Sequence, residues 1–413
     1  MSETYIQNRN VKTDGWDWIL VIGLSMAPMT SLRIWKIGPA ELLCAIWCIR
    51  YLSLRSIKLT HVLRFFVGLI MFMLIGMVIG LYISSDESSK TGILTWIYLG
   101  LISCVSYSAL SEHSGAYLES MANKFSCVSV IIYFTLYLYS VTVSRSLFGL
   151  NLWYGGKRFS PLGTNPHQIA VFMSALPFLF IRNALHRKNT VRNLICAAIC
   201  VFLMIQTDSS TGIVALVAGF ASLIVVLSLR IHADARKKFA LLLLEVALVA
   251  LILVIFWSDI YGFIYNWIAN DSNGLGRISI FSHIGETFRE SPLFGLGPGT
   301  HSETMKGGNI EYHCTYLEIL AASGIAGMLV FIIFSIKEFK TLLKDPYLLP
   351  VMFALYAYGI SGFAMRRLAY WGLTVFALLL AEKATSEVST DVDDMQYQET
   401  EQDVGDNSEV VTS

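Results

Sequence analysis

Charged side chains are scarce in this chain. Asp, Glu, Lys and Arg make up 15% of its 413 residues, against 55% hydrophobic, whereas a soluble domain carries roughly 25% charge. With a mean hydropathy of +0.59, that shortage excludes an ordinary water-soluble globule. Neither sign of charge is in excess: 30 basic and 30 acidic residues cancel. The basic ones sit in short clusters between apolar runs, so the chain lacks the basic face that nucleic acid requires. Its cysteines form neither a disulfide framework nor a zinc-ligand spacing. Cys44, Cys48, Cys104, Cys127, Cys196 and Cys200 lie inside apolar runs and read as small packing residues. Residues 1–15 lack the basic, apolar, small-residue order of a cleaved signal. They are expected to form a cytoplasmic segment ahead of a retained anchor helix.

What the chain has instead is long apolar runs. About twelve approach the ~17–25 residues needed to cross a bilayer as helix, nine of them within 16–257 and three within 313–382. No β-barrel alternation appears, and helices are the other way to satisfy backbone groups in lipid. The expectation is an all-α polytopic membrane protein of about twelve transmembrane helices. Lys and Arg cluster at alternate connections, around Arg50–Arg64, Arg182–Arg192, Arg230–Lys238 and Lys337–Lys344. By the positive-inside rule those connections are cytoplasmic, and the long segment 258–312 faces outward. Within it, residues 277–290 place Ile278, Phe281, Ile284 and Phe288 at helical spacing, an amphipathic surface helix. The acidic stretch 383–413 is too poor in apolar residues to fold alone and reads as a disordered cytoplasmic tail.

The outer segment is where chemistry is expected. "GLGPG" at 295–299 has no preceding strand and no following Gly-Lys-Ser/Thr, so it reads as a tight turn rather than a phosphate loop. His301 and Glu303 follow it. His313 stands where the loop becomes the tenth span, reachable from water, and a neutral imidazole there can take a proton; boundary histidines are also often structural. Lys157, Arg158, Arg277, Arg366 and Arg367 lie at the same boundary. A single boundary arginine often only snorkels to headgroups, but recurrence on one face against the positive-inside trend points to an anionic substrate. A diphosphate suits the planar fork of arginine. "QTDSSTG" at 206–212 falls at another outer junction, where its hydroxyls either line the site or, with Asp208 or Ser209, cap the eighth helix. Tyr316 and Glu318 are expected to shape the pocket around His313, and Glu41, Arg145 and Glu245 are further ionisable groups in or beside apolar spans.

These motifs, in order and spacing, resemble the O-antigen ligase and O-antigen polymerase superfamily of bacterial envelope glycosyltransferases. The resemblance rests on "GRISIFSHIGETFRESPLFGLGPGTH" followed by "HCTYLEILAASGIAGML", with "RFSPLGTNPHQIA" and "SSTGIVALVAG" upstream. It implies an undecaprenyl-diphosphate-linked oligosaccharide donor, a glycan or lipid A-core acceptor, and no metal or other cofactor. It also implies an active site on the periplasmic side of the bacterial inner membrane, with a chain-length regulator and a flippase as protein partners. Matched residue by residue, it implies His313 as general base and Arg277, Arg158 and Arg367 as diphosphate contacts. His301, Glu318, Tyr316 and Ser210 are the further candidate acceptor or pocket contacts. Attack from the face opposite the leaving diphosphate would invert the anomeric centre.

Two positions depart from the family. Cys314 stands where asparagine usually follows the loop histidine, and Ser209 and Ser210 stand where ligases tend to carry arginine. The second departure favours a polymerase of lipid-linked repeat units over a ligase. A transporter or flippase of lipid-linked glycan, the reading from another class, calls for ionisable pairs at the bilayer midplane and an internal repeat, and no convincing repeat is present. The orientation has a direct test. A reporter inserted within 258–312 should be active only outside the cytoplasm and one at the N-terminus only within it; both on one side would refute the arrangement.

Overall fold

Apolar runs without charge leave the backbone two ways to be satisfied in lipid, closed barrel or helix, and this chain takes the helix. The computed structural model describes residues 14–34, 37–84, 88–230, 284–299 and 312–384. Its first eight helices are α1 (Asp17–Ser25), α2 (Pro39–Leu54), α3 (His61–Ser84), α4 (Ser88–Ser111), α5 (Gly115–Thr142), α6 (His167–Leu185), α7 (Thr190–Gln206) and α8 (Ser210–Arg230). A short α9 (Ile284–Glu290), then α10 (Thr315–Leu342), α11 (Leu349–Ser361) and α12 over 368–384 complete the described set. Six of these helices are long and apolar enough to cross a membrane. The protein is an all-α polytopic membrane protein. The expected ninth span at 239–257, most of the outer segment and the acidic tail lie outside the described residues.

The described residues depart from plain spans and loops at two places. The first span, expected over 16–32, stops at Ser25, and a separate 3-10 turn covers Thr30–Leu32; Pro28 supplies no backbone N–H and disfavours helix in the residue before it. The connection 143–166 is not plain loop. It holds two small hairpins, β1 (Ser146–Leu147) with β2 (Leu150–Asn151) and β3 (Trp153–Tyr154) with β4 (Arg158–Phe159).

A helix that is apolar all round belongs at the centre of a bundle, and α12 takes that place. Leu373, Phe376, Ala377, Leu378, Leu379 and Ala381 are fully buried. Phe65 stacks on Phe334 with ring centroids 4.1 Å apart, and Phe66 lies 4.5 Å from Trp371, which knits α3, α10 and α12. Peripheral helices instead expose apolar side chains, such as Val67 and Met71 on α3 and Val217 and Ile224 on α8.

Helices joined by short connections run antiparallel, so the connections gather at two ends. The end rich in Lys and Arg is laced by ion pairs: Lys58 with Glu112 at 3.1 Å, Lys188 with Glu119, and buried Arg182 with buried Asp345 at 2.7 Å. Burial pushes the Asp345 carboxyl up, but hydrogen bonding from His186 and the Arg182 guanidinium outweigh it and hold the group below its ordinary value.

One irregularity places the opposite end. α10 is broken at Gly324, whose φ is +62°. The chain from Pro292 to Gly297 folds back into this break. The N–H groups of Leu296 and Gly297 donate to Ala321 O and Ala322 O at 2.8 and 3.1 Å, while those of Ile325 and Ala326 donate to Pro292 O and Leu293 O at 2.9 and 3.1 Å. "GLGPG" is therefore more than a turn: with the preceding Pro292 and Leu293 it supplies the partners that a broken helix in lipid would otherwise lack. A side chain at Gly324 would sit 2.4 Å from the Leu293 carbonyl carbon, and one at Gly295 2.4 Å from Ala321 O.

Gly324→Val should lower stability by more than the ~1–3 kcal/mol of left-handed strain alone, read as a fall in the melting temperature of detergent-purified protein. Asp345→Asn should also destabilise. Because the folded carboxyl titrates below its ordinary 3.8, the difference from wild type should be complete above that pH and disappear as pH falls through the depressed value.

Candidate functional site

Hydroxyls tie the connections at the outer end to one another. The Thr30 and Thr164 hydroxyl oxygens lie 2.9 Å apart, and the Thr164 N–H donates to Thr30 Oγ1 at 3.0 Å. Thr211 and Ser361 meet at 2.8 Å, joining the start of α8 to the end of α11. Thr315 Oγ1 donates to Gly362 O at 3.0 Å and accepts from the Ala364 N–H at 3.1 Å. That pins the 362–367 connection to the first residue of α10, two positions after His313.

Onto this frame the sequence hangs a group of arginines. Arg33 forms an ion pair with buried Glu41, whose second oxygen accepts the Gly38 N–H at 3.0 Å. Arg366 and Arg367 are half-buried beside it. Burial lowers Arg366 below its ordinary value, with the Arg367 guanidinium adding to the effect, Tyr98 opposing it and Arg33 contributing further repulsion. Burial lowers Arg367 too, opposed by Tyr358 and reinforced by Arg33. The Nε atoms of Arg33 and Arg367 are buried with no hydrogen-bond partner among the described residues. Unsatisfied charged donors are costly, and like charges crowded at low dielectric repel, so this corner holds its guanidiniums at electrostatic expense. Arg158, on β4, is anchored by its Nε donating to Thr207 O at 3.1 Å.

Two members of this group carry little signal in the sequence. Arg33 hides in a short connection that reads as a snorkelling site. His167 opens α6, with its Nδ1 3.2 Å from both Ser209 Oγ and the Tyr358 hydroxyl, and Tyr358 also donates to the His167 carbonyl at 3.1 Å. Its one signal is a histidine directly after proline at the head of an apolar run, within "RFSPLGTNPHQIA". Ser209 also accepts the Gly212 N–H at 3.3 Å, so it caps α8 as well as holding His167. Ser210 is half-buried as the first residue of α8.

His313 is exposed between two buried neighbours, Tyr312 and Cys314, and holds φ at +50°. A left-handed conformation outside glycine costs on the order of 1–3 kcal/mol and persists where the surroundings impose it. Here they do. Glu318 accepts the Tyr312 N–H at 3.2 Å and the Gly299 N–H at 3.3 Å, and the Tyr312 and Thr287 hydroxyls meet at 2.6 Å. Glu318 thus clamps backbone on both sides of the outer segment, and Tyr316 donates to Tyr356 O at 2.7 Å within the helix packing. The two expected pocket residues support the pedestal beneath His313. Burial raises the Cys314 thiol, consistent with an inert packing role. Arg277, His301 and residues 277–283 of the expected surface helix lie outside the described residues; its described remainder, α9, buries Thr287 and half-buries Ile284 and Phe288.

The segment holding the histidine pedestal and the broken helix decides the relationship: residues 195–332 match the family model described as O-antigen ligase. Over those residues the chain resembles O-antigen ligases. No curated protein and no solved structure matches it. The match covers about a third of the chain and makes that segment similar to the O-antigen ligase family. The matched span includes Ser209, Ser210, His313 and Glu318, whereas Arg33, Arg158, His167 and Arg367 come from outside it and join only through the fold.

If Arg367 is held at electrostatic expense for a ligand, Arg367→Met should stabilise the ligand-free protein by about 1–2 kcal/mol while impairing its activity. Melting temperature and glycan output, measured on the same preparation, check both halves.

Proposed function

We propose that this protein is a polysaccharide polymerase of the bacterial inner membrane, transferring glycan from an undecaprenyl-diphosphate-linked oligosaccharide to a hydroxyl of a second lipid-linked chain on the periplasmic side. The observation carrying this reading is the pairing, through Thr315, of an exposed and conformationally strained histidine with a connection bearing the incompletely satisfied guanidinium of Arg367. The donor enters with its isoprenoid in lipid and its diphosphate against the arginines.

In this mechanism neutral His313 removes the proton of the acceptor hydroxyl as its oxygen bonds to the anomeric carbon. The bond from that carbon to the diphosphate oxygen breaks, and the electron pair leaves with polyprenyl diphosphate. Arg367 and Arg366, with Arg158 and Arg277, meet the charge growing on that oxygen, and because they are held in place before the reaction they need little reorganisation. Attack opposite the leaving group inverts the anomeric centre. His301, Glu318, Tyr316 and Ser210 surround or support the acceptor side, and a chain-length regulator and a flippase work alongside the enzyme.

The second reading, a ligase acting on a lipid A-core acceptor, is favoured by the description of the matching family. Ser209 speaks for the polymerase: where ligases tend to carry arginine, it is used to hold His167 and cap α8.

His313→Ala should reduce transfer about 10²–10⁴-fold, the usual worth of a general base, and Arg277→Ala should abolish chain extension with the protein still folded in the membrane. Normal long-chain glycan from His313→Ala would remove the base assignment. A deletion strain separates the two readings: loss of a polymerase leaves a single repeat unit on the acceptor, whereas loss of a ligase leaves long chains on the polyprenol.

A further inference from the structure

The opposite end of the bundle contains a cavity that the transfer chemistry does not use. Its lining has five Lys or Arg side chains against two carboxylates. The carboxylates are already committed, Asp345 to Arg182 at 2.7 Å and Glu119 to both Lys188 and Arg182. Of the other three, Lys383 aside, Arg230 and Lys344 are each exposed and without a carboxylate partner among the described residues. Arg230 lies over the Tyr347 ring, 5.4 Å from its centroid, and amphipathic rings of this kind are enriched at membrane boundaries. This end is the one that the distribution of Lys and Arg assigns to the cytoplasm.

We propose that this cavity binds the phosphate of an anionic phospholipid headgroup from the inner leaflet. The cations supply the headgroup contact. Exposed leucines adjoin them in the chain: Leu229 beside Arg230, Leu343 beside Lys344 and Leu185 at the end of α6. They give an acyl chain an apolar path from the same point, which a free phosphate would not use. The bound lipid would join the ends of α6, α8 and α12 to the α10–α11 connection, and so brace the inner end of the helices that carry the transfer site. The proposal rests on the orientation of the bundle and not on the identity of the transfer reaction.

The test uses delipidated full-length protein in detergent, followed by thermal unfolding with added phosphatidylglycerol, cardiolipin, phosphatidylcholine or inorganic phosphate. Phosphatidylglycerol and cardiolipin should raise the melting temperature by several degrees, with phosphatidylcholine and millimolar phosphate leaving it near its starting value. The double variant Arg230→Ala/Lys344→Ala should melt like wild type in phosphatidylcholine and need at least threefold more anionic lipid for the same shift. Arg230→Lys/Lys344→Arg should keep most of the response. An equal shift from phosphatidylcholine, an equal shift from inorganic phosphate, or an undiminished response in the double alanine variant would each overturn the proposal. His313→Ala should retain the full lipid response, so failure of the transfer mechanism and failure of this site would be told apart.

Discussion

Gly324 interrupts α10 nine residues below its start, a depth of about 13 Å at 1.5 Å per residue, and the four backbone groups exposed there find partners in Pro292, Leu293, Leu296 and Gly297. Within a bilayer such groups have no water to turn to, so this exchange obliges the outer segment to re-enter the bundle at one place and in one register. From that anchor the rest of the outer end follows. Phe294 stacks near Phe72, and Gly299 lies within reach of Glu318. Glu318 in turn holds Tyr312, and His313 is left projecting between two buried residues. The glycines of "GLGPG" are thus explained by packing of backbone against backbone, with no need for phosphate to cradle.

The charged groups divide between the two ends according to how they are compensated. At the inner end, buried Arg182 and Asp345 offset one another's desolvation, and Glu119 pairs with both Arg182 and Lys188. At the outer end Arg33 has such a partner, while Arg367 keeps a buried donor unmet among the described residues. Burying an uncompensated charge is destabilising, which is why its presence there argues for use rather than for architecture. The same contrast bears on the orientation of the molecule: the compensated end is the one richest in Lys and Arg, where the positive-inside trend alone accounts for them.

Much of the site is legible in the order of the residues. His313, Arg158 and Arg367 stand out because a polar or charged residue at the edge of an apolar run is rare enough to be noticed. Arg33 and His167 do not, because each sits alone in a short connection, far in the chain from the segment that looks functional. Glu318 and Tyr316 draw notice through their proximity to His313 along the chain, yet the helix turns each toward its own neighbours, and both serve as supports. The hairpins of 143–166 are silent in the sequence because two-residue strands carry too little pattern to register.

Composition and the lengths of the apolar runs determined by themselves that this is a helical membrane protein, because the cost of burying charge and unpaired backbone in lipid acts on every residue locally. The gathering of Arg33, Arg366 and Arg367 from two distant connections, the break at Gly324 and the left-handed pose of His313 were decided only in the folded molecule. They depend on contacts between segments far apart in the chain, and no local preference encodes which backbone will fill the gap in a broken helix.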